Sequence, residues 1–323
     1  MATSIDSSRL NGSVTKRMVH PKDSPQRDRL LGMVLLIISS VGISFGGLIS
    51  RNLEAADAWQ INIHKSYSTA LVVIIILLFR YRGCVVGQMK QIGRPGLLGA
   101  CLLTIVGITF MQAFTTTTVA NTLFMLSAIP FVTAALGWIF LHESLNRVTI
   151  ITMIAASAGI GVMLVEGIGG GSMYGNLMAL ITTIGFSGYA VILRLNRNVD
   201  MLPAFLLATI MLCIVALGMK IGDWSVSWWD LALCFIWGGV LSGIGNILFI
   251  IAARYLYAAE ITLFMLLEFA LGPLWVWLFV NEVPSRWTLV GGSLIMSAVI
   301  ARTIYQVSVS NRRGACGSLT GST

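Results

Sequence analysis

Apolar residues in this chain do not recur at the 3.6-residue spacing of a surface helix. They run in long blocks separated by short polar or basic segments. Ten blocks are near the roughly 20 residues that a helix needs to cross a bilayer. They cover about 30–50, 59–79, 96–114, 118–141, 148–165, 174–193, 201–221, 231–252, 259–280 and 287–307. The pattern predicts an all-α membrane protein with ten transmembrane helices. Composition agrees: 56% of the 323 residues are hydrophobic and 11% charged, too few charges to cover a soluble domain of this size. Residues 1–29 are polar and contain no apolar core of a signal peptide, so the first block is expected to act as the insertion signal. The tail 308–323 ends GACGSLTGST and reads as disordered.

Charge sets an expected orientation. With the N-terminus in the cytoplasm, 17 of the 21 Lys and Arg fall in cytoplasmic segments; Arg51, Lys65, Lys220 and Arg286 do not. That bias follows the positive-inside rule and places both termini inside. It also accounts for the net charge of +8 through topology, leaving no reason to invoke nucleic acid.

The chain is written twice. TLFML occurs at 122–126 and again at 262–266. GMVLLIISSVGISF from Gly32 resembles GNLMALITTIGFSG from Gly175. Gly32, Gly42, Ser44 and Arg51 precede Gly175, Gly185, Ser187 and Arg194 by one constant offset, and Glu143 precedes Glu282 by nearly the same one. Two five-helix units are expected at 30–166 and 174–307, joined by an external Gly-rich linker at 167–173. An odd number of crossings inverts the second copy, an architecture of secondary transporters with a site near midplane between the repeats.

Each half carries a fourth helix that ends in Glu beyond a Pro-containing run, IPFVTAALGWIFLHE at 129–143 and EFALGPLWVWLFVNE at 268–282. With the five-plus-five repeat and the short junction IIAARYLYAAEITLF at 250–264, these segments resemble the drug/metabolite transporter superfamily, and within it the EamA-domain transporters. The resemblance implies a ten-helix carrier; such proteins move amino acids, other metabolites, drugs or nucleotide sugars. It also implies a basic residue near the start of helix 2, where Lys65 stands. The chain departs from the pattern in two places. The second-half equivalent of Pro130 is Phe269, with proline at Pro273 instead. Ile43-Ser44-Phe45 and Phe186-Ser187-Gly188 replace the early Trp-Gly of each repeat.

Polar residues inside apolar blocks are the candidates for chemistry. Glu268 lies nine residues into 261–282, about 13 Å deep at 1.5 Å per residue. A charge at such depth costs about 2.5–3.5 kcal/mol on the gentler insertion scale, so it needs a partner, a proton or water. It reads as a ligand for a substrate ammonium or a proton carrier; the alternative is a fixed ion pair or a protonated carboxyl that locks two helices. Lys65 lies six residues into its helix and shares a face with Asn62 and Thr69, although a lysine so near an end also has the option of snorkelling. Gln112 and Asn121 flank the turn AFTTTTVA, and Asn246 lies within the eighth block; each is a candidate ligand or an interhelical hydrogen bond. Trp275, seven residues after Glu268 and on its face, is placed to stack a substrate cation. Pro130 and Pro273 mark kinks or hinges.

No phosphate-binding G-x-x-x-x-G-K-[ST] occurs, and GIGGGSMYG at 167–175 lacks the lysine. The three His and five Cys have no metal-ligand spacing, so no cofactor or metal is expected. The expected activity is secondary transport or export of small organic metabolites, amino-acid-like or otherwise charged or zwitterionic, by alternating access. A gradient of substrate, proton or ion would drive it across the plasma membrane, a bacterial inner membrane. The alternative is an intramembrane enzyme acting on a lipid-embedded substrate, although no His/Asp/Cys cluster stands at the membrane surface. A passive channel would need a ring of like charge or a carbonyl filter, and neither is legible.

Overall fold

The structure is a computed structural model. It describes residues 26–81, 87, 89, 91–142, 145–170, 173–196, 200–220, 222, 224–252, 255 and 258–319. Every element among these residues is helical. α1 (Gln26–Ser44) and α2 (Gly46–Arg51) form one broken crossing. α3 (Ala58–Tyr81) and α4 (Gly93–Thr116) follow, and α5 (Val119–Leu126) and α6 (Ile129–Leu141) form a second broken crossing. Next come α7 (Arg147–Gly170), α8 (Met173–Leu195) and α9 (Leu202–Met219). The eighth crossing joins α10 (Trp228–Phe235), a π-helical segment (Ile236–Ile244) and α11 (Gly245–Ala252); α12 (Ala258–Val280) and α13 (Arg286–Leu319) close the chain. Among the described residues nine stretches are long and apolar enough to span a bilayer, and Phe264–Val280 of α12 supplies a shorter tenth. Phe79, Phe140 and Trp228 point outward, while Met111, Phe114, Met125 and Trp237 fill the interior. This apolar exterior is what hydrocarbon demands of a helical protein.

Helix neighbours follow a pattern. α4 packs on α8, and α1 on α11. α6 packs on α8, and α1 on α12. α4 packs on α9, and α3 on the π segment. α3–α9, α5–α12 and α7–α13 are further close pairs, and α5 also packs on α13. Numbering the crossings one to ten and exchanging each with the crossing five along leaves all but the last of these pairs unchanged. The backbone repeats too. Among the described residues His142 and Asn281, at matching places just past the fourth crossing of each half, are the non-glycine residues with positive φ, at 54° and 57°. Both features are compatible with two inverted copies. Glu143 and residues 1–25 lie outside the described residues.

Four details differ from the sequence expectation. α7 runs on to Gly170 and α8 starts at Met173, so the expected linker 167–173 is helical at both ends. α13 continues past the apolar block to Leu319, with no proline to stop it. Arg302, counted above among loop cations, lies within a crossing, where its guanidinium donates to Pro130 O at 2.6 Å. Pro130 itself does not kink a continuous helix. The chain breaks at Ser127–Ala128, and Pro130 sits in the first turn of α6, where its missing N–H costs little. Hydroxyls of Thr183 and Ser187 reach Met125 O and Ile129 O beside the break, at 3.3 and 3.2 Å.

Candidate functional site

Lys65 is positioned by the start of α3. Asp57 Oδ1 accepts from Trp59 N and Gln60 N, and Gln60 Oε1 accepts from Asp57 N, a reciprocal cap that fixes the first turn. Lys220 Nζ meets Asp57 Oδ2 at 2.5 Å. Partial burial would raise the Asp57 carboxyl, but the Lys220 hydrogen bond and charge and the backbone N–H groups outweigh it and hold the group below the usual range.

Two turns further in, α3 is stitched to the π segment. The Ser68 hydroxyl lies 2.9 Å from Lys65 O and 3.3 Å from Cys234 O; the Thr69 hydroxyl lies 2.8 Å from both Lys65 O and Gly238 O. Any side chain at Gly238 would collide with Lys65 O and Ser68 Oγ. This contact seats Trp237 against the lysine, whose Nζ lies 4.6 Å from the Trp237 ring and 5.4 Å from the Phe110 ring. The ammonium thus stays among interior rings and does not snorkel. Among the described residues no carboxylate pairs with it. Each ring is worth about 0.5–2 kcal/mol, of the same order as the insertion cost of about 2.5–3.5 kcal/mol and without an opposite charge. Asn62, one turn earlier on the same face, is 1% exposed and its Nδ2 has no partner.

Trp237 also faces the break between α1 and α2. A Cβ at Gly46 would stand 2.7 Å from the indole Nε1, so glycine allows the approach. Phe45, in the break, stacks on Trp275 of α12 at 5.1 Å and 8°, and Trp275 Nε1 donates to Ser44 Oγ at 3.0 Å. The broken helix is thus held between two tryptophans. Glu268 shares the Trp275 face of α12. Gly272, between them, abuts Leu123 of α5 and Ser44 O of α1, so this face looks into the bundle. Glu268 is only partly shielded and, among the described residues, its carboxylate has no hydrogen-bond or ion-pair partner. Lys65 and Glu268 do not pair. Lys65 meets Trp237, Trp237 meets Gly46, and the adjacent Phe45 meets Trp275, a line across the interior with Glu268 two turns beyond.

Other candidates stand apart. Asn121 donates to Asn176 Oδ1 and to Thr117 Oγ1, while Asn176 donates to Met163 O at 3.0 Å; the set buckles α5, α7 and α8 together. Asn246 Nδ2 donates within its own helix to Ser242 O. Gln112 lies near the end of α4, partly shielded.

A second polar centre closes the end of the bundle where α2, α4 and α12 finish. Arg51 Nε meets Glu282 Oε2 at 2.5 Å, and its other nitrogens reach Phe114 O at 2.8 Å and Thr117 O at 2.7 Å. Glu282 Oε1 accepts from Val119 N at 2.8 Å. One ion pair thus ties four helix ends. Nearby, fully buried Asp230 accepts from the backbone N–H groups of Glu54, Ala55 and Ala56 and pins the loop after α2.

A sequence model of the EamA-like transporter family matches residues 30–165, the first half-length unit. Human solute carrier family 35 member G1 is 22% identical over 287 residues, covering 83% of this chain and 77% of the relative. The mouse protein of the same description is 24% identical, covering 85% and 78%. A solved crystal structure of a 17% identical protein superposes with a TM-score of 0.63, covering 86% of this chain and 98% of the other, a likeness of fold alone. Multi-pass helices, broken crossings and these relatives point the same way: residues 30–165 match the EamA-like transporter family, and most of the chain is similar to solute carriers.

Proposed function

We propose that this membrane transporter carries small charged or zwitterionic organic solutes by alternating access between two inverted five-helix halves, 30–166 and 174–307. The observation that carries the reading is the pair of intramembrane ionisable side chains, Lys65 and Glu268, that face the interior from different crossings with no ionic partner among the described residues. Residues so costly to insert are retained for binding or charge transfer. Their setting agrees with this role, because discontinuous crossings at Phe45 and Ser127–Ala128 are where secondary transporters build sites. Asn62 and Trp275 complete the proposed site. The Arg51–Glu282 cluster closes the bundle at the end away from the N-terminus, which the charge bias makes the external end. Energy comes from a gradient of solute, proton or ion. The test is uptake and efflux of a radiolabelled metabolite panel in proteoliposomes, with and without a pH gradient. At least one charged solute should cross, and Glu268→Gln should stop it. No flux of any panel member by folded protein would sink the proposal.

A further inference from the structure

We infer that Asn62 and Lys65 form a subsite for a carboxylate of the transported solute, which makes that solute an organic acid or an amino acid. This inference rests on the transport reading and narrows it.

Two hydrogen-bond donors stand one turn apart on one face of α3. Lys65 Nζ has two aromatic rings beside it and no carboxylate among the described residues. Asn62 Nδ2 is buried and makes no bond, although buried amides are ordinarily satisfied. A carboxylate presents two oxygens, one for the ammonium and one for the amide. It would satisfy both donors at once and neutralise the charge.

Rigid backbone supports the pair. The hydroxyls of Ser68 and Thr69 bind Lys65 O to Cys234 O and Gly238 O, and Gly238 leaves no space between the helices. The backbone of the lysine is therefore fixed by bonds that leave its ammonium's hydrogen-bond donors available, as a preorganised ligand requires. Trp237 and Phe110 exclude water from its flank, which strengthens a charge-assisted hydrogen bond.

Charge count selects the ligand. One cation and one neutral amide balance a single negative charge. A phosphate dianion would leave a charge over, and the fork that usually reads phosphate, an arginine, is engaged elsewhere: Arg51 by Glu282 and two carbonyls, Arg302 by Pro130 O. Glu268 is the internal carboxylate that would compete. It sits on α12, which packs on α1, α2, α5 and α13.

The test takes the solute that passes the flux panel and compares it with its carboxamide, in proteoliposomes of the full chain. The carboxamide should be carried at least tenfold less well. Asn62→Asp keeps the side chain's shape and offers Lys65 an internal carboxylate, so the variant should insert normally yet lose the acid by about tenfold or more; Asn62→Ser should lose less. Lys65→Met should abolish the preference for acid over carboxamide. Equal flux of acid and carboxamide, a transported solute without a carboxylate, or unchanged acid affinity in Asn62→Asp each overturn the subsite while leaving transport intact. A folded protein that moves no panel member defeats the transport reading itself, and this inference with it.

Discussion

Neutralising Glu282 should open the end of the bundle that its ion pair holds. In Glu282→Gln the shape of the side chain persists, and the amide oxygen still accepts from Val119 N. What is lost is the charge opposite Arg51, whose Nε stands 2.5 Å from Glu282 Oε2 while two further nitrogens hold Phe114 O and Thr117 O. The pair is largely shielded, with side-chain exposures of 22% and 18%. Hydrogen bonds to charged groups are worth about 1.5–3 kcal/mol. If the bond exists only when this end is closed, its loss shifts the closed–open balance by roughly 10- to 150-fold, at tenfold per 1.4 kcal/mol. Ala120, one residue past the Val119 contact and 3% exposed, reports the change. An Ala120→Cys protein without other cysteines should react slowly with an impermeant maleimide applied from that side. Adding Glu282→Gln should speed the reaction tenfold or more, and adding Arg51→Gln as well should accelerate it little further, because the two share one interaction. A labelling rate within twofold of the parent would show that the cluster does not gate access.

Four more outcomes follow from the same structure. Glu268→Gln should be present in the membrane in normal amount yet lose flux; a variant missing from the membrane would mean that the carboxylate holds the fold. Cysteines at Glu54 and Gln91 should label from opposite sides of the membrane, and labelling of both from one side would refute the topology. Gly238→Ala forces a methyl against Lys65 O and Ser68 Oγ and should lower stability in detergent by about 1–3 kcal/mol, read as a fall in Tm. Asp57 is depressed, so its stabilisation is present above about pH 4 and lost as pH falls through its folded value. Asp57→Asn keeps the helix cap, so its Tm should lie slightly below wild type at neutral pH, by under about 1 kcal/mol for so exposed a carboxylate, and converge with it below pH 4.

The crossings were legible because a bilayer imposes length and composition on any helix that spans it. Their breaks were not. Phe45 and Ser127–Ala128 interrupt apolar runs without changing their apolarity, and the π segment at Ile236–Ile244 looks in sequence like any helix. Pro130 announced a disturbance but not its form. Lys65 and Glu268 announced themselves by charge. Trp237, Phe110 and Phe45, which surround or connect them, are aromatic residues in apolar helices, and nothing local sets them apart from lipid-facing ones. The Arg51–Glu282 pair was hidden for another reason: 231 residues separate the partners, and no local pattern records which long-range charges meet.

The two polar centres nonetheless leave different marks on the repeat, and the difference bears on their roles. Arg51 has Arg194 as its counterpart in the second half, and Glu282 has Glu143 in the first. Glu268 is matched by Ile129. The offset that carries Arg51 onto Arg194 carries Lys65 onto Ala208 and Asn62 onto Phe205. A carrier that alternates must close each end in turn, so residues that close an end are needed in both inverted copies. A solute has one carboxylate to bind, and its ligands are needed once. Residues that merely hold the shared fold would be expected in both copies, as Ser44 and Ser187 or Gly42 and Gly185 are. Lys65, Asn62 and Glu268 break the repeat at interior positions where polarity is costly in a membrane. That is the distribution expected of ligands placed on a duplicated scaffold, and of a clasp that belongs to the scaffold itself.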